Sequence, residues 1–200
     1  MKKIIIALML FVAAAAAQGQ KLLVNGWKHG SAGVAQNLLI RSEQMDLNGS
    51  FGDGWDINNG TITTNQANDG AGNATLERIS LTTSGDNRHR QVIGGLTAGV
   101  TYYFSFEVAL PSSGAVTNLF YSVYDFSNTA EIIAPTTYFS SVSTTVTRVT
   151  FSFTTPAGCT QVGVYTSRDT PSTGDYFVGR AWLYTGTGKI YATTTTTIIP

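Results

Sequence analysis

The chain has 200 residues, 42% of them hydrophobic, which suffices for one domain with a real core plus extensions and leaves a second full domain little room. Only 12% of the residues are charged, and twelve Lys and Arg balance twelve Asp and Glu, so there is no basic field to collect a polyanion and no nucleic acid is expected as a partner. Cys159 is the single cysteine, which excludes an intramolecular disulfide and any zinc site built from several thiols; in its Pro-Ala-Gly-Cys-Thr turn it reads as a small half-buried residue.

Residues 1–17 have the layout of a secretory signal. Lys2 and Lys3 form a positive start, Ile4 to Val12 an apolar stretch, and Ala13 to Ala17 a small-residue run ending in a cleavage pattern. The apolar stretch is shorter than the roughly 20 residues of a transmembrane span. Retained rather than cleaved, the same segment would be an anchor helix in an assembly. Residues 18–36 read as a linker in which Trp27 packs on a neighbour or a partner chain and His29 is solvated.

Residues 37–190 read as one domain. Leu38 to Ile40 starts a strand, a Gly/Asn/Asp-rich loop leads to Gly54-Trp55-Asp56-Ile57, and Thr61 to Thr64 and Ala74 to Leu81 are strands, the second with a bulge or an uncertain register. Arg88 to Ile93 is a short strand, with His89 read as a surface residue. From Val100 to Leu110 the chain alternates with period two, setting Tyr102, Phe104, Phe106 and Val108 on one face and Tyr103, Ser105 and Glu107 on the other. Asn118 to Asp125 places Tyr121 and Val123 opposite Ser122 and Tyr124. A weaker strand follows over Thr136 to Val142. Thr145 to Phe153 points Val149, Phe151 and Phe153 inward and is expected to leave Arg148, Thr150 and Ser152 facing water. Gln161 to Thr166 and Tyr176 to Tyr184 complete the series. No segment after residue 17 has helical periodicity, and the strand spacing predicts an all-β fold: an antiparallel β-sandwich or jelly roll preceded by a short hydrophobic helix or signal segment. Residues 191–200 hold a Thr run, expected as a tail, with a strand donated to a neighbouring subunit as the alternative.

Three blocks, NLLIRSEQMD followed by GW, HRQVIGGLTAGVTYYFSFEVAL and DYFVGRAWLYTG, resemble the galactose-binding-like jelly-roll modules of the carbohydrate-binding type found in bacteriophage virion and tail-fibre proteins. The matching positions are Asn37 to Leu39, Trp55, Gly95 to Tyr102 and Ala181 to Gly186, and the resemblance covers roughly residues 36–189. It implies binding rather than chemistry. It also implies a structural calcium, with Glu43 and Asp46 as the acidic residues after the opening strand. The final strand, Val178-Gly-Arg-Ala-Trp182, has no carboxylate, so half of that ligand set is missing unless Asp53 or Asp56 assists, and the expectation is that the chain carries no cofactor.

Sugar binding needs an aromatic face beside a few planar hydrogen-bonding groups. Trp55, Arg88, Arg90, Tyr103, Glu107 and Tyr124 are the candidates, against the plainer readings of core or loop packing for Trp55 and of solvated surface for the face of Tyr103 and Glu107. Trp182 and Tyr184, in the outward phase of the last strand, join Trp27 as candidates for an assembly interface. Catalysis has little support. His29 and His89 have no nucleophile partner, no nucleophile elbow, metalloprotease helix or phosphate loop is present, and turn-making explains Asp53 and Asp56. The reading is a non-catalytic carbohydrate-binding module, extracellular or displayed on a virion, whose partner is a cell-surface glycan. The alternative is a structural subunit of a phage capsid, tail or extracellular filament whose partners are other subunits, including a homo-oligomer.

Overall fold

A computed structural model describes residues 37–39, 54–83, 86–169, 172–186 and 196–198, all within the unit spanning 35–200. Among them the alternating segments form eleven strands: β1 (Trp55–Asn58), β2 (Gly60–Asn68), β3 (Ala74–Leu81), β4 (Arg88–Gly94), β5 (Thr101–Ala109), β6 (Phe120–Asp125), β7 (Ala130–Thr137), β8 (Thr147–Thr154), β9 (Gln161–Arg168), β10 (Gly174–Thr185) and β11 (Thr196–Ile198). Five of them pair in the order β1-β4-β9-β6-β7 and six in the order β11-β8-β5-β10-β3-β2. The two sheets face each other as a jelly-roll β-sandwich.

The period-two pattern of β5 explains its central place. Phe104, Phe106 and Val108 are fully buried and meet Val149 and Phe151 of β8 and Leu183 of β10. The five-stranded sheet contributes Tyr121, Val123, Val162, Val164 and Ile93 to the same core. The sheets meet through rings: Tyr121 of β6 stacks on Phe151 of β8 at 4.1 Å between centroids, and Phe106 meets Tyr138 edge-on at 5.5 Å. Each such buried side chain contributes on the order of 1.5–3 kcal/mol. The turn before β5 is held by Thr155, whose carbonyl accepts from the Gly99 N–H at 2.8 Å and whose hydroxyl donates to the Thr97 carbonyl at 2.6 Å. Gly99 sits at φ +75°, a conformation that costs glycine little.

The opening motif docks by its first side chain. Asn37 Oδ1 accepts from the Leu183 N–H at 3.0 Å and Nδ2 donates to the Ala181 carbonyl at 3.1 Å, so Asn37 spans the stretch beside a bulge in β10. In that bulge Arg180 adopts φ +44°, uncommon for a residue with a side chain.

Four expectations are corrected. The strand expected over Thr136 to Val142 lies earlier, as β7; Pro135 lacks an N–H and is tolerated because β7 is an edge strand, while Phe139–Ser141 forms a 3-10 turn that brings Tyr138 into the core. Arg148 does lie on the face of β8 away from the core, but it is 2% exposed and pairs with Glu107 instead of facing water. His89 is fully buried against Trp55, not a surface residue. Within the Thr-rich segment, Thr196–Ile198 is a strand pairing with β8 of the same chain. The N-terminal signal or helix, Trp27, His29, Glu43, Asp46 and Asp53 lie outside the described residues.

Candidate functional site

The outer face of the five-stranded sheet is assembled by alternation in β4, β6 and β9. On β4, His89, Gln91 and Ile93 point to the core, leaving Arg88, Arg90 and Val92 outside. Register carries Arg90 to Asp56 on β1 at one side and to Tyr165 on β9 at the other. Tyr165 in turn lies opposite Ser122 of β6, and Tyr124 opposite Glu131 of β7. The result is one row, Asp56, Arg90, Tyr165, Arg168, Tyr124 and Glu131, that crosses all five strands. With neighbouring strands about 4.8 Å apart, the row is roughly 19 Å long.

Within it, cations and rings alternate. Arg90 binds Asp56 through Nε and Nη2 at 3.0 Å each and donates from Nη1 to the Tyr165 hydroxyl at 2.9 Å. Its guanidinium carbon lies 5.3 Å from the Phe126 ring centre and 5.6 Å from that of Tyr165. Arg168 sits between Tyr165 at 4.9 Å and Tyr124 at 5.1 Å, and its Nη1 donates to Glu131 at 2.9 Å. Tyr124 and Phe126 meet edge-on at 5.0 Å. Burial lowers the Arg90 pKa, but Asp56 and Tyr165 outweigh it and hold the guanidinium above its ordinary value. Tyr165 is 2% exposed and serves as the packing surface between the two guanidinium groups, so the ring surface that the face offers comes from half-buried Tyr124 and Phe126. Two arginines face two carboxylates along the row, which adds planar donors and acceptors without a strong net field.

Phe126 is presented by a turn built on Asp125. That fully buried carboxylate accepts from the backbone N–H groups of Ser127 at 2.8 Å and Asn128 at 3.1 Å and from Asn128 Nδ2 at 2.7 Å. Asn128 Nδ2 also reaches the Ala157 carbonyl at 3.1 Å, fixing the turn to the loop that carries Cys159. Burial, with Asp125 beside it, pushes the Cys159 thiol up to about 11.

Of the residues singled out in the sequence, Arg88, Arg90 and Tyr124 come together here. The others do not. Trp55 is 2% exposed and stacks on His89 at 5.0 Å, so its ring packs inside the sandwich. Tyr103 and Glu107 belong to the other sheet. Tyr103 stacks on Tyr184 at 5.4 Å, with Trp182 in the neighbouring outward position of β10.

The expectation that Glu107 faces out as a ligand group is corrected. It is fully buried, accepts from Arg148 Nη2 at 2.7 Å and from the Gly70 N–H at 2.9 Å, and lies 3.6 Å from Arg180. The Asp69–Asn73 loop covers it, with Asp69 itself 3.4 Å from Arg180. Asp56 is engaged by Arg90, and among the described residues no group of three or more His, Cys, Asp or Glu is arranged to hold a metal. Sequence reasoning missed Phe126, Glu131, Tyr165 and Arg168. The alternation of Val162 and Val164 against Gly163 and Tyr165 carried the signal for Tyr165 and its neighbours.

No protein-family model and no curated protein matches the chain. Solved structures share its fold. The CBM22-1 xylan-binding domain of Paenibacillus barcinonensis Xyn10C superposes with a TM-score of 0.53 at 14% identity over 78% of this chain and 97% of that one. The C-terminal family 22 carbohydrate-binding module of Clostridium thermocellum Xyn10B gives 0.57 at 13% identity over 77% and 98%. The enzymatically active domain of bacteriophage CBA120 tailspike protein 4 gives 0.52 at 14% identity over 77% of this chain and 21% of that one. The sandwich is thus of the jelly-roll type seen in carbohydrate-binding modules.

Proposed function

We propose that the protein is a non-catalytic carbohydrate-binding module, extracellular or displayed on a virion, and that it takes its glycan on the outer face of the five-stranded sheet. The carrying observation is the row from Asp56 through Arg90, Tyr165, Arg168 and Tyr124 to Glu131, which sets the half-buried rings of Tyr124 and Phe126 beside planar hydrogen-bonding groups that cross the sheet. Apolar sugar faces lie on rings, and hydroxyls pair with guanidinium and carboxylate edges. Among the described residues both ends of the row lie at edge strands, β1 and β7, so a polysaccharide chain fits across the strands. One of the two family 22 neighbours is a xylan-binding domain and the other a carbohydrate-binding module with cleft residues that act in ligand binding, which supports this reading and makes xylan the first glycan to try.

The test is native electrophoresis of the intact protein through gels containing xylan, mixed-linkage glucan or bacterial surface polysaccharide. Retardation by at least one polymer, reduced several-fold by Tyr124→Ala, is the expected result. No retardation by any polymer, or retardation that Tyr124→Ala and Arg90→Ala leave intact, would overturn the reading or its site.

A further inference from the structure

Strand β11 pairs with β8 in parallel, whereas every other pair of described strands is antiparallel. The contact is short: three residue pairs, Thr196 with Arg148, Thr197 with Val149 and Ile198 with Thr150, against eight between β8 and β5 on the other side. Among the described strands, β8 from Phe151 to Thr154 keeps an open edge. Parallel ladders are the weaker kind per residue. Register is weakly specified too, since Thr193 to Thr197 is a run of one residue type with no alternation to distinguish one alignment from the next. Nine residues separate Gly186 from Thr196, an extended reach of about 30 Å, compared with a radius of gyration of about 15 Å for a domain of this size.

We propose that the edge of β8 is a strand-acceptor site and that its occupant is the 196–198 strand of a second copy of this chain. The acceptor is backbone: N–H and C=O groups over Arg148 to Thr150 that any strand in this orientation satisfies equally, from within the chain or from another. A strand held by three parallel pairs, with little in its sequence to fix the register and a long connection behind it, exchanges between copies at little cost, the physical route to domain-swapped association. This association uses the six-stranded sheet and leaves the five-stranded face free, so it stands apart from glycan binding.

The experiment mixes two full-length single variants, Thr150→Cys and Ile198→Cys; the native Cys159 is buried and stays out of reach of mild oxidation. The expected result is a disulfide-linked heterodimer in the mixture that neither variant forms alone, together with a wild-type mass by light scattering that exceeds one chain and returns to one chain in Thr197→Pro. Two results overturn the proposal. One is a double variant, Thr150→Cys with Ile198→Cys, that closes within one chain while the mixture gives no heterodimer. The other is a wild-type protein that is one chain at every concentration tested.

Discussion

Gly163 lies directly beneath Phe126: a Cβ on Gly163 would stand 2.8 Å from Phe126 Cε2 and 3.0 Å from Tyr165 Cε2. The missing side chain lets the Phe126 ring lie on the backbone of β9. Gly163→Ala must therefore push out the far end of a ring, which the fold tolerates at an overpacking cost of about 1–3 kcal/mol. The ring loses its place beside Arg90. Retardation by a binding polysaccharide should fall several-fold while thermal melting remains cooperative, and unchanged retardation would remove Phe126 from the site.

Arg168 is held between two tyrosines and against Glu131, a setting that uses the planarity of guanidinium as well as its charge. A lysine keeps the charge but neither stacks nor pairs through two donors. Arg168→Lys should thus weaken glycan binding by roughly tenfold, with a stability change within about 1 kcal/mol because the ion pair is partly exposed. Isothermal titration alongside urea melts separates the two. Equal affinity of the wild type and the lysine variant would show that charge alone matters here.

The alternation from Tyr102 to Val108 made the core face of β5 legible, as did Val149, Phe151 and Phe153 for β8. What covers the opposite face was not legible. Period two says that Glu107 and Arg148 share that face, but not that the 69–73 loop folds over them, because their partners Asp69 and Arg180 are distant in sequence and meet only in the sheet. The binding row had the same fate. Arg90 and Tyr124 stood out as polar and aromatic residues in outward phase, whereas Arg168 ends its strand and Phe126 lies in a turn, where no periodicity identifies an outward face. β1 is only four residues long and follows a glycine-rich loop, so the sequence left Trp55 between a binding ring and core or loop packing, and burial decides for the core.

Glu107 is the centre of that covered cluster, and removing its charge should be costly. Glu107→Gln takes from the buried Arg148 and Arg180 the carboxylate that they share, while Asp69 stays 3.4 Å from Arg180. A buried charge deprived of its partner typically costs about 3–5 kcal/mol. Urea unfolding should show a loss in that range, and the folded fraction should keep its polysaccharide affinity because the cluster lies on the sheet opposite the binding row. A loss under about 1 kcal/mol would mean that water enters the cluster readily.

Acid stability follows from Asp125 and Asp69. Burial raises both, but it is outweighed at Asp125 by hydrogen bonds from Asn128, the Cys159 thiol and the Ser127 N–H, and at Asp69 by those from Asn73, Thr75 and Ala71 and by Arg180. Both carboxyls therefore titrate below their ordinary value of 3.8 in the folded state. A depressed folded pKa means that the unfolded chain binds protons first, so the stabilisation is fully present above the unfolded value and is lost as pH falls through the lower folded values. The urea midpoint should accordingly stay level from pH 7 to about 5 and then drop steeply below 3.8. Asp125→Asn should start from lower stability, since a neutral amide accepts the turn's N–H groups more weakly, and it should show a shallower acid limb. A decline beginning near pH 6 with the same slope in wild type and Asp125→Asn would assign acid sensitivity to other groups, with the buried His89 the first to examine.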